Sequence, residues 1–213
     1  MNSNDVFKFY YFGGNGRGAL IRAALSYAKV KWENNVIDYV KDWPTIKKSG
    51  LCEFEQVPVL VHNEKKLSQS AAIYLYLAKL FNIYGKTLDE QYQIDSLICT
   101  IEDINPHFYA VMMPRTEEQK SKPEEFKKVL KEKLEQYLKI FEKRYTDLGS
   151  KTYFLGDHFT FADLYLAVQM TSYQSVLGEN LIKEYAPKIN AIVEKVKANE
   201  LKEFFEKYYV VPK

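Results

Sequence analysis

Apolar residues along the chain follow two regimes that change near residue 85. Up to that point, short aromatic and β-branched runs alternate with stretches of helical spacing. Phe7–Phe12 reads as a strand. Leu20, Ile21, Ala24, Leu25 and Ala28 recur at helical spacing and predict a helix over residues 17–29. A second strand is expected at residues 32–36 and a third at Val59–His62. Asn63 and Glu64 then turn the chain into a short fourth strand at Lys66 and Leu67. Residues 69–80 are expected to be helical, with Ile73, Tyr76, Leu77 and Leu80 on one side. The order β-α-β followed by β-β-α predicts a small α/β domain. Residues 81–87 contain Gly85, show no apolar period and read as a linker. Beyond them the spacing is helical almost throughout. Phe126, Val129, Leu130, Leu134, Tyr137, Leu138, Phe141 and Tyr145 form one long stripe, which predicts a core-facing helix with a solvated Lys/Glu face.

Composition narrows the class. A chain of 213 residues can bury an adequate core as one large domain or two small ones. Thirty basic and 28 acidic residues leave a formal charge of +2, which gives no electrostatic bias toward nucleic acid or an anionic membrane. No run of 18 apolar residues predicts a membrane span. The polar opening, Met1 to Asp5, lacks the apolar core of a secretory leader. Cys52 and Cys99 have no metal-ligand spacing and read as two reduced thiols in a cytoplasmic protein.

The chemistry-bearing residues cluster early. Tyr10 and Tyr11 are adjacent on an extended segment and therefore face opposite sides, and alternation alone does not choose which reaches a site. Gly13, Gly14, Gly16 and Gly18 crowd the turn that follows. They do not fit the G-x-G-x-x-G dinucleotide pattern, and they permit a tight turn and a ligand's close approach. Arg17 sits at a helix start, where a cation opposes the dipole, and this suggests another task for it. Pro58 opens a strand, where its missing amide is tolerated, and base rates alone would make its bond trans. Ser70 reads as a helix N-cap, and Thr160 with Asp163 reads as a capping box.

Three segments, taken in order, resemble the glutathione S-transferase family: Phe7 to Arg17, Phe54 to Leu60 and Leu67 to Ile73. The first is closest to the sigma-class branch, which includes glutathione-dependent prostaglandin D synthases. The resemblance implies a thioredoxin-like α/β domain over residues 1–80, a linker at 81–87 and an all-α domain over 88–213. It selects Tyr11 as the tyrosine at the strand end, followed by Phe12 and, six positions on, Arg17. In that family the phenol donates a hydrogen bond to the glutathione sulfur and favours the thiolate. By the same resemblance Pro58 is cis, and Gln56 and Val57 pair with the peptide through the main chain. Gln69 and Ser70 would hold the γ-glutamyl carboxylate at a helix N-terminus. Trp43 and Lys47 would hold the glycine carboxylate, and Asp103 would reach the ligand ammonium of a second subunit in a homodimer.

The second substrate, a hydrophobic electrophile, is expected to meet Phe12, Gly14, Arg17 and residues after Asp103, among them His107. The tryptophan that prostaglandin D synthases carry in that stretch is replaced here by His107, Phe108 and Tyr109. Cys99 stands where metal-responsive members have an acidic residue, so no metal is expected. The implied activity is conjugation of the glutathione thiolate to electrophilic carbon in the cytoplasm. The alternatives are a glutathione-dependent isomerase of a lipid endoperoxide and a non-catalytic binding or structural relative.

Overall fold

The computed structural model describes residues 5–178 and 180–210; the first four residues, which open the segment read above as lacking a leader, lie outside this range. The chain divides into two compact units. One runs up to Tyr84 and takes in the segment from Glu200 onward; the other is Gly85–Asn199.

The first unit is built on a four-stranded sheet in the order β2-β1-β3-β4. Its strands are β1 (Phe7–Phe12), β2 (Trp32–Ile37), β3 (Val59–His62) and β4 (Lys65–Ser68). β1 pairs with β2 in parallel and with β3 antiparallel, and β3 and β4 form a hairpin. Alternation along β1 buries Phe7 and Phe9, each contributing about 1.5–3 kcal/mol by leaving water. The helices are α1 (Ala19–Tyr27), α2 (Trp43–Lys48), α3 (Ser70–Leu80) and, from the chain's end, α10 (Lys202–Lys207). This is the expected β-α-β, β-β-α order of a thioredoxin-like domain, with α2 added. The expected helix over 17–29 is shorter than its pattern, because Gly16–Gly18 forms a single 3-10 turn ahead of α1. α1 packs against both α3 and α10 and buries Leu20, Ile21, Ala23, Ala24 and Leu25.

The second unit is all-helical. It comprises α4 (Leu88–Met112), α5 (Glu117–Ser121), α6 (Pro123–Asp147), α7 (Phe161–Leu177), α8 (Leu181–Tyr185) and α9 (Pro187–Ala198). α6 turns Leu130, Leu134, Leu138, Phe141 and Tyr145 inward. Val129 of the same stripe is 40% exposed, so the core seam is narrower than the sequence pattern indicated. α7 is the buried axis of this unit, with twelve of its 17 residues buried. It begins at the expected capping box. The Asp163 carboxylate accepts from the Phe154 and Thr160 amides at 2.7 and 2.8 Å and from the Thr160 hydroxyl at 2.9 Å. Among the described residues no helix is long and apolar enough to cross a membrane.

Candidate functional site

Strand register brings three of the expected glutathione residues to one end of the sheet. β1 pairs Tyr10 with Val59, and β3 pairs Val59 with Ser68. One step onward along each strand, Tyr11, Pro58 and Gln69 share the same sheet end. The Val57–Pro58 bond is cis.

Tyr11 is held closely by the turn that follows it. Gly16 and Gly18 lie against its ring: a Cβ on Gly16 would stand 2.6 Å from the Tyr11 Oη, and one on Gly18 would stand 2.4 Å from its Cδ1. The close approach that these glycines permit is therefore that of the tyrosine itself. The Arg17 amide donates to the Tyr11 Oη at 3.1 Å. A phenol has one proton to give and lone pairs to accept with, so this bond leaves the proton free for an acceptor that a ligand brings. Burial pushes the Tyr11 phenol above its usual value, while the Arg17 amide and the charges of Arg22 and Arg17 pull it down. The net effect is upward, so Tyr11 is a neutral donor at neutral pH. The Arg17 side chain is exposed, and the bond that reaches Tyr11 comes from its main chain.

Arg22 belongs to this site, although the sequence analysis did not single it out. It lies in α1 and is 2% exposed. Its guanidinium donates to the Gly14 carbonyl and to the Phe12 carbonyl, each at 2.8 Å, and its Nε donates to the Asn34 Oδ1 at 3.2 Å. It also lies over the rings of Phe9 and Tyr11, 5.2 and 5.7 Å from their centroids. One planar fork thus ties the end of β1, the glycine loop and β2 together around Tyr11. The only available signal was a cation inside an otherwise apolar helical run, Ala19 to Leu25. A lysine has no such fork. Arg22→Lys is expected to lower stability by roughly 1–2 kcal/mol in urea unfolding, as hydrogen bonds in this buried fork are lost. An unchanged unfolding midpoint would count against this bracing role.

The other expected residues of the first unit lie at the end of β1 and on its loops and helices. Phe12 packs edge-on against Trp43 and Tyr39, both at 5.5 Å between ring centroids. This contact fixes the start of α2, on whose last turn Lys47 lies, paired with Glu55 at 3.3 Å. Gln56 is exposed and Val57 half-buried in the loop leading to β3. Gln69 has φ 70°, a left-handed backbone rare for a side-chain-bearing residue and a recurrent mark of functional positions. Gln69, with its exposed side chain, is the N-cap of α3; Ser70, expected as the cap, is instead the first helical residue and is buried. Gly14 is exposed, and a Cβ there would meet nothing within 4 Å.

Asp103 and His107 lie in the helical unit, on α4. Asp103 is exposed and His107 half-buried. Neighbouring Glu102 accepts from the Tyr165 hydroxyl at 2.8 Å. Phe108 is turned into the helical core against Tyr173, at 5.2 Å between centroids. Among the described residues no group of three or more His, Cys, Asp or Glu side chains is arranged to hold a metal ion.

Comparison with known proteins agrees with this architecture. Residues 6–79 match the glutathione S-transferase N-terminal domain, and residues 102–208 match the glutathione S-transferase C-terminal domain. Hematopoietic prostaglandin D synthase of Rattus norvegicus is 33% identical over 90% of both chains. Probable glutathione S-transferase 5 of Caenorhabditis elegans is 32% identical over 97% of this chain and 98% of its own. The sigma class transferase of Fasciola hepatica superposes with a TM-score of 0.83 at 26% identity, covering 100% of both chains. The chain belongs to the glutathione S-transferase family. It is a transferase of a family that uses glutathione as co-substrate, and conjugation of the thiol to an electrophile fits that membership.

Proposed function

We propose that the chain is a sigma-like glutathione transferase in which the Tyr11 hydroxyl donates to the glutathione sulfur and holds it as thiolate for attack on hydrophobic electrophiles. The observation that carries this reading is the Tyr11 hydroxyl itself. Its oxygen is engaged by the Arg17 amide at 3.1 Å, and it lies at the same sheet end as Pro58 and Gln69. A hydrogen bond to a charged group contributes about 1.5–3 kcal/mol, or about 1–2 pKa units for the sulfur. Conjugation is then direct: the thiolate's electron pair forms a bond to carbon, and the leaving group departs with the displaced pair.

In this reading residues 1–80 form the glutathione domain, 81–87 the linker and 88–213 the helical domain, with the segment from Glu200 onward packing back on the first unit. Val57 pairs with the peptide's main chain as an added strand would. Gln69 and Ser70 take the γ-glutamyl carboxylate at the α3 N-terminus, and Trp43 and Lys47 take the glycine carboxylate, Lys47 exchanging Glu55 for the ligand. Phe12, Gly14, Arg17 and His107 are assigned to the electrophile. The protein acts in the cytoplasm in detoxification, as a homodimer. Leu88 and Tyr92 on α4 are 85% and 65% exposed, which suits coverage by a second copy, and Asp103 lies further along the same helix to meet the partner's ligand ammonium. A second reading, isomerisation of a lipid endoperoxide, is supported by the 33% identity to the rat prostaglandin synthase.

The test is conjugation of glutathione to a chlorinated nitroaromatic, beside binding to immobilised glutathione. Turnover is expected. Lys47→Ala and Gln69→Ala should each raise the KM for glutathione roughly five- to tenfold with kcat nearly unchanged, because they hold groups remote from the sulfur in ground and transition states alike. Binding without turnover would favour a non-catalytic relative, and unchanged KM values would remove the carboxylate assignments.

A further inference from the structure

The loop that places Tyr11 has almost no side chains with which to hold itself. Of residues 13–16, three are glycine, the residue whose backbone loses the most freedom on ordering, and Asn15 is the sole exception. The Asn15 carbonyl accepts from the Gly18 and Ala19 amides at 3.0 and 2.9 Å and so starts the 3-10 turn. The turn does not use its side chain. The Asn15 Nδ2 donates to the Val210 carbonyl at 2.6 Å, and its Oδ1 accepts from the Val210 amide at 2.9 Å. A carboxamide offers a donor and an acceptor side by side, as a peptide group does, and here it clasps both main-chain groups of one residue 195 positions away.

The end of the chain is brought there by its own packing. α10 lies on α1, and the Tyr208 ring packs on Trp32 at the head of β2, 4.9 Å between centroids. Two residues beyond Asn15, the Arg17 amide makes the 3.1 Å bond to the Tyr11 Oη. The loop is therefore braced on two sides. Arg22 grips the Gly14 carbonyl from within the α/β unit, and Val210 grips Asn15 from the chain terminus.

We propose that the Asn15–Val210 clasp is a latch that sets the geometry of the Tyr11 hydroxyl, so that Asn15 is a positioning residue for thiolate formation and the C-terminal segment is a working part of the glutathione site. The inference rests on the reading of Tyr11 given above. Asn15 touches neither sulfur nor electrophile in this scheme. Its effect passes through the 3-10 turn to the Arg17 amide and on to the phenol.

The experiment is a pH titration of the ultraviolet absorbance of bound glutathione thiolate, with steady-state kinetics and thermal unfolding. The proteins are the wild type, Asn15→Ala, a chain ending at Tyr209, the two changes combined, and Tyr11→Phe. Asn15→Ala and the shortened chain are each expected to raise the thiol pKa by about 0.5–1 unit and lower kcat about three- to tenfold at pH 6.5, with the KM for glutathione within about twofold. The combined variant should match the larger single effect, because both changes open one clasp. An unshifted thiol pKa in Asn15→Ala overturns the latch, even if the melting temperature falls, since the clasp would then serve stability alone. Multiplied losses in the combined variant overturn it as well. If Tyr11→Phe shifts the pKa and Asn15→Ala does not, only the latch fails. If Tyr11→Phe leaves the pKa unmoved, the assignment of Tyr11 fails and takes the latch with it.

Discussion

Tyr11→Phe lowers kcat/KM for conjugation roughly 10- to 150-fold, the loss expected when a hydrogen bond of about 1.5–3 kcal/mol to a developing or formed thiolate is removed. The substitution deletes one oxygen and keeps the ring on which Gly16 and Gly18 pack, so the loop should persist. Tyr10→Phe is the matched control. It lies on the same strand with its side chain on the opposite face, and it should leave kcat/KM within about twofold. The phenol is not required to act as a base. Burial raises its pKa, so it remains a donor throughout the range in which the thiol titrates. Equal losses from both substitutions would contradict the assignment.

Asp163→Ala has the largest expected effect on stability. The carboxylate is fully buried at the start of α7 and receives two amides and one hydroxyl. Its removal leaves these buried donors without their acceptor, a loss of about 3 kcal/mol at pH 7, given about 1–3 kcal/mol for each unsatisfied group and partial relaxation. Melting should fall by roughly 6–12 °C in a chain of this size. The same residue gives a pH signature. Burial raises its carboxyl to about 6, against the hydrogen bonds from Phe154 and Thr160 that lower it. The folded state therefore binds this proton more tightly than the unfolded chain, whose pKa is about 3.9. Its stabilising contribution is fully present below pH 3.9 and is lost as pH rises through about 6. Between pH 7 and pH 5 the wild type should gain about 1 kcal/mol relative to Asp163→Ala in parallel urea unfolding curves. A stability difference that does not change with pH would contradict the coupling.

Much of the fold was legible in the sequence because burial follows pattern in these segments. Phe7 and Phe9 alternate with more exposed neighbours along β1, and α6 repeats leucines at helical spacing. α2 was not legible. It is six residues long and buries none of them, so no apolar period marks it. It is held instead by the Phe12–Trp43 ring contact, and the sequence does not display that contact. Val129 sits on the edge of the α6 stripe, where spacing alone does not separate core from rim. At the candidate site, Tyr11, Pro58 and Gln69 were singled out by the family resemblance, and strand register brings these three to one sheet end. Arg22 and Asn15 were not singled out. Apart from the Asn34 Oδ1, their partners are main-chain carbonyls and an amide, which carry no sequence signature, and the partner of Asn15 lies 195 positions along the chain.

The pKa of glutathione's thiol when bound to the wild-type protein tests the central claim most directly. It can be read from the thiolate absorbance as pH is raised. A cysteine-type thiol free in water titrates near 8.5. A donating Tyr11 hydroxyl should bring the bound thiol down by about 1–2 units, to roughly 6.5–7.5. A bound thiol that titrates at or above its free value would contradict the account.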